Sequence, residues 1–320
     1  MKIRKRLGVL IGTTALALLL AACGHVGKAQ EHPLTGKVWD VSARRFVAHD
    51  VLLERAATSR FVLLGEIHDN AEHHRIQARL LQELLRKGRR PAMVMEQFDL
   101  DRADRIGEIR RGTGSVEQKL QELRELMREG WEWPHYEPLL RLALEHELPL
   151  APANMARDTL RKVAREGLSA LGEGEDRRLA ADSVWSAPRQ TQLARDVRDG
   201  HCGKLPEHVA EMITKAQRIR DAVMADAILK FMEPGAVAII GNGHARTDMG
   251  VPLYLRARAP ESSVLSLGLV QVQGSTDPRS YAESALGERF DYVWFTEAGR
   301  RTVDPCHSIP GPAAPVQTPG

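Results

Sequence analysis

Apolar residues along this chain follow two patterns: short continuous runs, and longer segments in which they recur at helical spacing. Short runs are typical of buried strands, and they occur at 61–64, 92–95, 148–151, 236–240, 264–270 and 291–295. The clearest helical pattern covers 206–232, with apolar residues at Val209, Met212, Ile213, Ala216, Ile219, Val223, Ala227 and Phe231. This alternation predicts an α/β domain with a mainly parallel central sheet flanked by helices. The charged, glycine-containing stretch 157–181 is predicted to be a helical insertion or lid.

The strand predicted at 61–64 runs directly into a group of reactive side chains. Gly65 ends the apolar run, and Glu66 and His68 follow it. Asn70 is placed as the N-cap of a helix whose apolar stripe is Ile76, Leu80, Leu81 and Leu84. Open α/β sheets bind ligands at the carboxyl ends of their strands. A carboxylate and an imidazole therefore emerge where a site is expected.

A second strand end repeats this arrangement. The run 236–240 is followed by Gly241, Asn242, Gly243 and His244, so both junctions read strand and then G-x-x-H. Glycine permits a sharp turn and close backbone approach at such a junction. The pair of motifs predicts that His68 and His244 act at one site, against the alternative that both are hydrogen-bonded turn residues.

Two further predicted strands end in polar residues, Glu96 and Asn154. Three uses of the assembled edge remain open. His68, Glu96 and His244 would hold a divalent metal that activates water. Glu66, His68, Glu96 and His244 would equally serve as a metal-free acid/base centre. His68, Asn154 and His244 would also line a cofactor pocket.

Two histidines and two tyrosines complete the set of site residues considered. His73 and His74 fall in the first turn of the predicted helix, where the helix dipole favours neutral imidazole. Adjacent helical residues face different ways, so only one of the two can face the site. His74 is preferred, and the alternative is that it is exposed at the surface. Tyr136 and Tyr254 are the tyrosines nearest to site segments. Tyrosinate is a haem-iron ligand, although a buried tyrosine with a satisfied hydroxyl is commoner.

The N-terminus has the features of a secretory signal. A basic start, an apolar stretch at 7–19 and the sequence Leu20-Ala21-Ala22-Cys23 resemble a bacterial lipobox. Cleavage would leave Cys23 to carry acyl chains such as palmitate, each buried CH₂ contributing about 0.8 kcal/mol to membrane binding. The alternative is an ordinary signal with a chance cysteine. Gly24, in place of a retention aspartate, favours the outer membrane, facing the periplasm.

The predicted organisation is a signal peptide at 1–22, a lipidated tether at 23–36, one domain at 37–307 and a disordered tail at 308–320. The signal carries four of the 45 Lys and Arg residues, so 41 basic residues remain against 42 acidic ones, a formal charge of −1. No basic patch with interleaved aromatic residues is left. Nucleic acid is therefore not an expected partner.

Two cysteines remain when Cys23 is assigned to the lipid. In a compartment that oxidises thiols, Cys202 and Cys306 are expected to form a disulfide. The alternative, a metal pair made by His201 and Cys202, lacks further ligands nearby in the sequence.

Several of these motifs together resemble the ChaN family of haem-binding lipoproteins. They are Gly65–Asn70 with His73-His74, Met95–Phe98, Pro152–Asn154 and Gly241–His244. The resemblance covers roughly 34–305. It extends to the wider Tiki superfamily, with TraB-like proteins and erythromycin esterases.

The resemblance implies a lipoprotein of iron acquisition that binds haem between two subunits. It further implies a tyrosine as iron ligand, propionates held by basic side chains, and a homodimer on haem binding. Pocket walls are expected from Trp131, Trp133, Phe98 and Met95. The wider superfamily implies instead a hydrolase of esters or amides, metal-dependent or not. Its centre would be His68, Glu96 and His244, with Glu66 in support.

Overall fold

A computed structural model of the chain describes residues 32–166, 170, 172, 184–299 and 306. The predicted signal peptide, Cys23 and the tail at 308–320 lie outside the described residues, as do most of the tether and much of the predicted lid. Among the described residues, no helix combines the length and the apolar character needed to cross a membrane.

An eight-stranded, mostly parallel sheet forms the centre of the described part of the chain, with strands in the order β2-β1-β10-β7-β3-β6-β4-β5. Only the pairs of β1 with β2 and with β10 are antiparallel. These strands are β1 (Val38–Asp40), β2 (Arg45–Val47), β3 (Phe61–Glu66), β4 (Ala92–Asp99), β5 (Leu150–Asn154), β6 (Ala236–Gly241), β7 (Val264–Gln271) and β10 (Tyr292–Thr296). A separate hairpin consists of β8 (Glu283–Ser284) and β9 (Gly287–Glu288).

Helices cover the sheet on both sides, which confirms the predicted α/β class. They are α1 (His49–Thr58), α2 (Ala71–Arg86), α3 (Ala103–Arg111), α4 (Val116–Leu126), α5 (Trp133–Glu145), α6 (Arg157–Glu166), α7 (Ala187–Gly200), α8 (Glu207–Leu229), α9 (Asn242–Ala245), α10 (Val251–Arg258) and α11 (Arg279–Ala282).

The central strands are buried on both faces, as their continuous apolar runs predict. Along β3, Val62 and Leu64 pack against the side of α1, α2 and α5, whereas Phe61 and Leu63 pack on the side of α8 and α10. This alternation follows from the two-residue period of a strand. Burial on both faces holds the carboxyl end of β3 in the middle of the sheet.

The turn from β3 into α2 is fixed by the predicted cap. The Asn70 side chain accepts hydrogen bonds from the backbone N–H groups of Glu72 and His73, at 2.9 and 3.4 Å. The predicted stripe on α2 is buried against the sheet. The first turn of α2 therefore lies directly beside the end of β3.

One strand is longer than predicted. The run at 92–95 continues as β4 through Glu96, Gln97 and Phe98 to Asp99, with a register shift against β5. Met95 and Phe98 are fully buried in the core. The prediction that they form pocket walls is therefore wrong, because a strand buried on both faces leaves them no open side.

Candidate functional site

Three neighbouring parallel strands, β3, β4 and β6, bring their polar carboxyl ends together. Glu66 at the end of β3 pairs in register with Gly241 at the end of β6. Glu96 on β4 reaches the same point, because its Oε2 accepts the backbone N–H of Gly241 at 2.7 Å. The expected gathering at one sheet edge is therefore present for Glu66, His68, Glu96, Asn154 and His244.

Glu66 is a buried carboxylate at the centre of this edge, with a relative exposure of 2%. Its Oε1 accepts hydrogen bonds from His68 Nδ1 at 2.8 Å, Tyr136 OH at 2.7 Å and Gln97 Nε2 at 3.2 Å. Burial alone would raise the pKa of Glu66. The interactions with His68 and His74 outweigh burial and hold the pKa well below its ordinary value, so Glu66 is ionised.

His68 presents the open face of the site. Its Nδ1 is held by Glu66, and its side chain is 46% exposed. Burial lowers the pKa of His68, but the hydrogen bond with Glu66 and the charges of Glu96 and Glu66 raise it above the ordinary value overall. The imidazole meets the indole of Trp131 edge to face, with ring centroids 4.0 Å apart. A side chain at Gly241 would place its Cβ 2.9 Å from His68 Cε1, so a larger residue there would displace the imidazole.

Glu96 is the second buried carboxylate. Its Oε1 accepts a hydrogen bond from Arg220 Nη2 at 2.5 Å and lies 3.5 Å from His244 Nε2. Burial opposes ionisation, but the charges of His244, Arg220 and His68 and the Gly241 N–H keep the pKa of Glu96 below its ordinary value. Asn154 contacts both members of the Glu96–Arg220 pair: its Nδ2 donates to the Glu96 carbonyl, and its Oδ1 accepts from Arg220 Nε.

His244 is buried and pairs with Asp221, a residue of α8. The two atoms His244 Nδ1 and Asp221 Oδ1 lie 2.5 Å apart. Burial raises the pKa of Asp221, while the charge of His244 and its hydrogen bond oppose that shift. The amide of Gln217, one helical turn earlier, lies 3.2 Å from His244 Nε2. The second G-x-x-H motif is therefore held by a helix far from it in sequence.

Sequence reasoning missed Asp221, Gln217 and Arg220. The signal was present in the best helix of the chain, where buried Thr214 with Gln217 and Asp221 forms a polar file at spacings of three and four residues. A line of buried polar residues beside an apolar stripe indicates that this face of the helix packs against a polar site.

His73 and His74 are both buried, and they have different roles. His73 Nδ1 accepts the N–H of Ile67 at 2.9 Å and its Nε2 donates to Thr296 Oγ1 at 2.8 Å. Burial, with the charge of His74, lowers the pKa of His73 to about 3, so its imidazole is neutral and structural. His74 belongs to the site: its Nδ1 lies 3.2 Å from Glu66 Oε2 and its Nε2 donates to the His68 carbonyl at 3.0 Å.

Neither predicted tyrosine is placed to bind a haem iron in this structure. Tyr136 is fully buried with its hydroxyl on Glu66, and Tyr254 is buried between Trp185 Nε1 and the Arg218 carbonyl. Burial, together with the nearby carboxylates, raises the pKa of both hydroxyls. A tyrosinate ligand must be ionised and open to the ligand, and these hydroxyls are neither.

The His68 imidazole does fit a haem-iron ligand. Its Nδ1 is oriented by a carboxylate, and its Nε2 has no hydrogen-bond partner among the described residues. An ionised second partner on Nδ1 is the arrangement that fixes the tautomer and raises the basicity of a metal-binding histidine. Trp131 supplies one flat apolar wall beside it.

A divalent metal on His68, Glu96 and His244 is not supported. No group of three or more His, Cys, Asp or Glu side chains in the described part of the chain is arranged to hold a metal ion. The reason is that the Glu96 carboxylate is already bound by Arg220 and the Gly241 N–H, while His244 is hydrogen-bonded to Asp221.

The expected disulfide is present and lies away from these strand ends in the sequence. Cys202, in the turn after α7, is joined to Cys306, with the two Cα atoms 5.9 Å apart. The alternative use of Cys202 as a metal ligand is therefore excluded, because a sulfur in a disulfide is not a thiolate.

The mostly parallel sheet with paired histidines at its strand ends defines an α/β protein with one polar strand-end site. The sequence model of the family described as "Haem-binding uptake, Tiki superfamily, ChaN" matches residues 52–255, which include every strand-end site residue. The chain belongs to this family.

Several solved structures are similar to this chain at low sequence identity, and the first of them shares its fold. The structure described as "Cofacial heme binding to ChaN of Campylobacter jejuni" is 15% identical, with a TM-score of 0.61 over 80% of this chain and 95% of that one. A mutant erythromycin esterase, EreC, in its open conformation is 14% identical, with a TM-score of 0.45 over 78% and 93%. The type III effector HopBA1 is 12% identical, with a TM-score of 0.44 over 78% and 93%. Comparison with curated protein sequences gives no match.

Proposed function

We propose that this protein binds haem through the exposed imidazole of His68 and holds it for iron acquisition. Two findings support the proposal: the chain belongs to a haem-binding family, and the site ends in an oriented imidazole beside an aromatic wall. Bound haem would supply an iron that accepts the lone pair of His68 Nε2. Glu66, His74 and Tyr136 would hold that imidazole in position from the buried side of the site.

The single observation that carries the proposal is the asymmetry between the two histidines. His68 has a side chain 46% exposed, whereas the His244 side chain is only 5% exposed and has Asp221 and Gln217 as partners. Among the histidines at the site, His68 combines an open nitrogen with a carboxylate behind it. A flat ligand approaching the strand ends would therefore meet His68 first.

We further propose that Cys23 anchors the chain by lipid in the outer membrane, facing the periplasm, and that haem joins two copies as a homodimer. The lipobox sequence supports the anchor. The ChaN structure from Campylobacter jejuni is described as binding haem cofacially. Only 5% of the residues are aromatic, so one chain has few flat apolar side chains to cover both faces of a haem. A second copy would supply the other apolar wall.

A haemin titration of the full chain in detergent, followed by Soret absorbance and sizing, tests this function. Wild type is expected to give a saturable Soret shift and a step from monomer to dimer. His68→Ala should lose the shift, because the other described histidines at the strand ends, His73, His74 and His244, are buried. His146→Ala is the control, since His146 is exposed at the end of α5. A full Soret shift in His68→Ala would contradict the assignment.

A second function, metal-free hydrolysis of an ester or amide, is favoured by one specific observation. Two histidine–carboxylate pairs, His68 with Glu66 and His244 with Asp221, lie close enough to Glu96 for the charges of both histidines to lower its pKa. Such pairs supply a general base and a general acid. Turnover of p-nitrophenyl acetate that survives chelators and is lost in His244→Ala would support it. Equal rates in wild type and His244→Ala would exclude it.

A further inference from the structure

A basic surface lies at the edge of the sheet opposite the His68 site. The strands β3, β4 and β6 are parallel, so the segments that enter them meet at one edge while the site lies at the other. The segment 86–90, which enters β4, has basic side chains at four of its five positions. Arg60 directly precedes β3, and Lys230 lies in the segment that enters β6. We call these six basic residues the basic edge: Arg60, Arg86, Lys87, Arg89, Arg90 and Lys230.

Close contacts join these segments into one surface. The Ala236 N–H donates to the Arg60 carbonyl at 3.1 Å, and the Arg60 side chain donates to the Met232 carbonyl. A Cβ added to Gly235 would lie 3.3 Å from Arg89 Nη2. The segments that enter β3, β4 and β6 therefore meet around Gly235.

The cations of the basic edge outnumber the carboxylates paired with them. Within the described residues, Lys87 pairs with Glu54 and Arg60 pairs with Glu233. Three other members are exposed and have no ion-pair partner in the described part of the chain: Arg86, Arg90 and Lys230. The chain without its signal has a formal charge of −1, so the surplus of positive charge is local. Such a surface is complementary to a polyanionic partner.

An exposed apolar side chain adjoins these cations. Met232 is 42% exposed, and its carbonyl accepts the hydrogen bond from Arg60. Lipid phosphates attract basic side chains, and the interfacial layer of a bilayer takes up apolar ones. An anionic bilayer therefore matches both features of this surface, whereas acidic side chains alone match only its charge.

The predicted lipid tether is long enough for this edge to meet the membrane. The Gly36 N–H donates to the Phe295 carbonyl on β10 at 2.9 Å, so the chain enters the fold at the carboxyl edge of the parallel strands. Cys23 precedes Leu34 by eleven residues, which span at most about 40 Å. With six residues, β3 is about 20 Å long. The tether therefore permits either edge to face the bilayer, and the charge favours the basic edge.

We propose that the basic edge docks on an anionic phospholipid surface and turns the His68 site away from the membrane. The inference rests on the proposed lipid anchor, which would keep the basic edge within reach of the bilayer. Each arginine or lysine near such a surface contributes about fivefold to binding, so the three exposed residues without ion-pair partners contribute on the order of a hundredfold. In this orientation the open imidazole faces the aqueous phase.

Hydrogen exchange on vesicles tests this orientation. The lipidated full chain is reconstituted with vesicles of phosphatidylcholine alone or mixed with phosphatidylglycerol, and deuterium uptake is measured by mass spectrometry. At low salt, uptake at 86–90 is expected to be at least about fivefold slower on the anionic vesicles. Uptake at 273–278, in the loop after β7 at the site edge, should be equal on both. High salt should remove the difference at 86–90, because it screens the charges.

Two double variants separate the basic edge from the overall charge. Arg86→Gln with Arg90→Gln should abolish the slower uptake. Arg75→Gln with Arg279→Gln is the matched control, because the change of charge is the same and both arginines are exposed elsewhere, in the first turns of α2 and in α11. This control should keep the slower uptake at 86–90.

Flotation of the same samples separates the anchor from the basic edge. If the chain floats only with anionic vesicles and uptake at 86–90 is slower there, the basic edge is supported and the anchor is not. Equal uptake on both kinds of vesicle, or an unchanged difference in the folded Arg86→Gln, Arg90→Gln variant, would overturn the proposal. Slower uptake with poly-glutamate but not with anionic vesicles would also overturn it and would assign the surface to an acidic protein.

Discussion

His244 Nδ1 and Asp221 Oδ1 lie 2.5 Å apart in a part of the protein closed to solvent. The two residues come from a strand end and from the middle of α8, so this one contact ties the second G-x-x-H motif to the helical layer. One proton between the two atoms satisfies both of them. Removal of either partner would leave the other polar group buried without its main contact.

Asp221→Ala is therefore expected to lower the free energy of unfolding by about 3–5 kcal/mol, the range for a broken buried pair. Urea denaturation followed by circular dichroism measures the change. Glu211→Ala serves as the control, because Glu211 is exposed on the same helix. A loss for Asp221→Ala no larger than the loss for Glu211→Ala would show that the buried contact contributes nothing.

Gly241→Ala should weaken haemin binding without unfolding the protein. The new Cβ would lie 2.9 Å from Cε1 and 3.2 Å from Nε2 of His68, so the exposed imidazole must move away. About a tenfold loss of affinity is expected, because a shift of this size disturbs a directional iron bond. The Soret titration measures it.

Gly243→Ala is the matched control for that substitution. Its Cβ would meet nothing closer than Gln217 Nε2 at 3.7 Å, an ordinary contact. Affinity in Gly243→Ala should equal that of wild type. Equal affinity in Gly241→Ala as well would mean that the position of the His68 ring does not determine binding.

The part of the site that sequence could predict is the part set by strand ends. Glu66, Glu96 and His244 each lie at or just beyond the end of an apolar run, and parallel strands align their carboxyl ends. The partners that control them are separated by 124 residues for Glu96 with Arg220 and by 23 for His244 with Asp221. Such pairings depend on how α8 packs on the sheet, which a single sequence does not show.

The extent of β4 illustrates the same limit. A polar pair, Glu96 and Gln97, normally marks the end of a buried strand, so the strand was predicted to stop there. It continues because Glu96 accepts the N–H of Gly241 on the neighbouring strand β6, and Gln97 donates to Glu66 on β3, one strand further across the sheet. Buried polar groups are tolerated where they are paired. That pairing exists only in the folded sheet.

Acid should destabilise the protein through His73. The unfolded chain takes up a proton at this histidine near pH 6.5, whereas burial lowers its pKa in the folded protein to about 3. Between these values the unfolded state binds more protons, so stability falls as the pH is lowered. The His73 contribution reaches about 4–5 kcal/mol at pH 3.

His73→Gln is expected to reduce the slope of stability against pH between 6.5 and 3 by up to about one proton. Glutamine can still accept from Ile67 and donate to Thr296 but does not titrate. Urea denaturation at a series of pH values measures the slope. His146→Gln should leave it unchanged, because His146 is exposed. An identical slope in wild type and His73→Gln would show that His73 is not the buried neutral group responsible.

Reduction of the Cys202–Cys306 disulfide should destabilise the domain through its unfolded state. The two cysteines are 104 residues apart, so the bridge closes a long loop and restricts the unfolded chain strongly. The chain-entropy model assigns about 4–5 kcal/mol to such a loop. The Cys202→Ser, Cys306→Ser double variant should lose a comparable free energy and become insensitive to reductant. Because the site residues Glu66, His68 and His244 lie elsewhere in the sequence, its haemin affinity in folding conditions should match wild type. If the double substitution left the free energy of unfolding unchanged, the bridge would not be what restricts the unfolded chain.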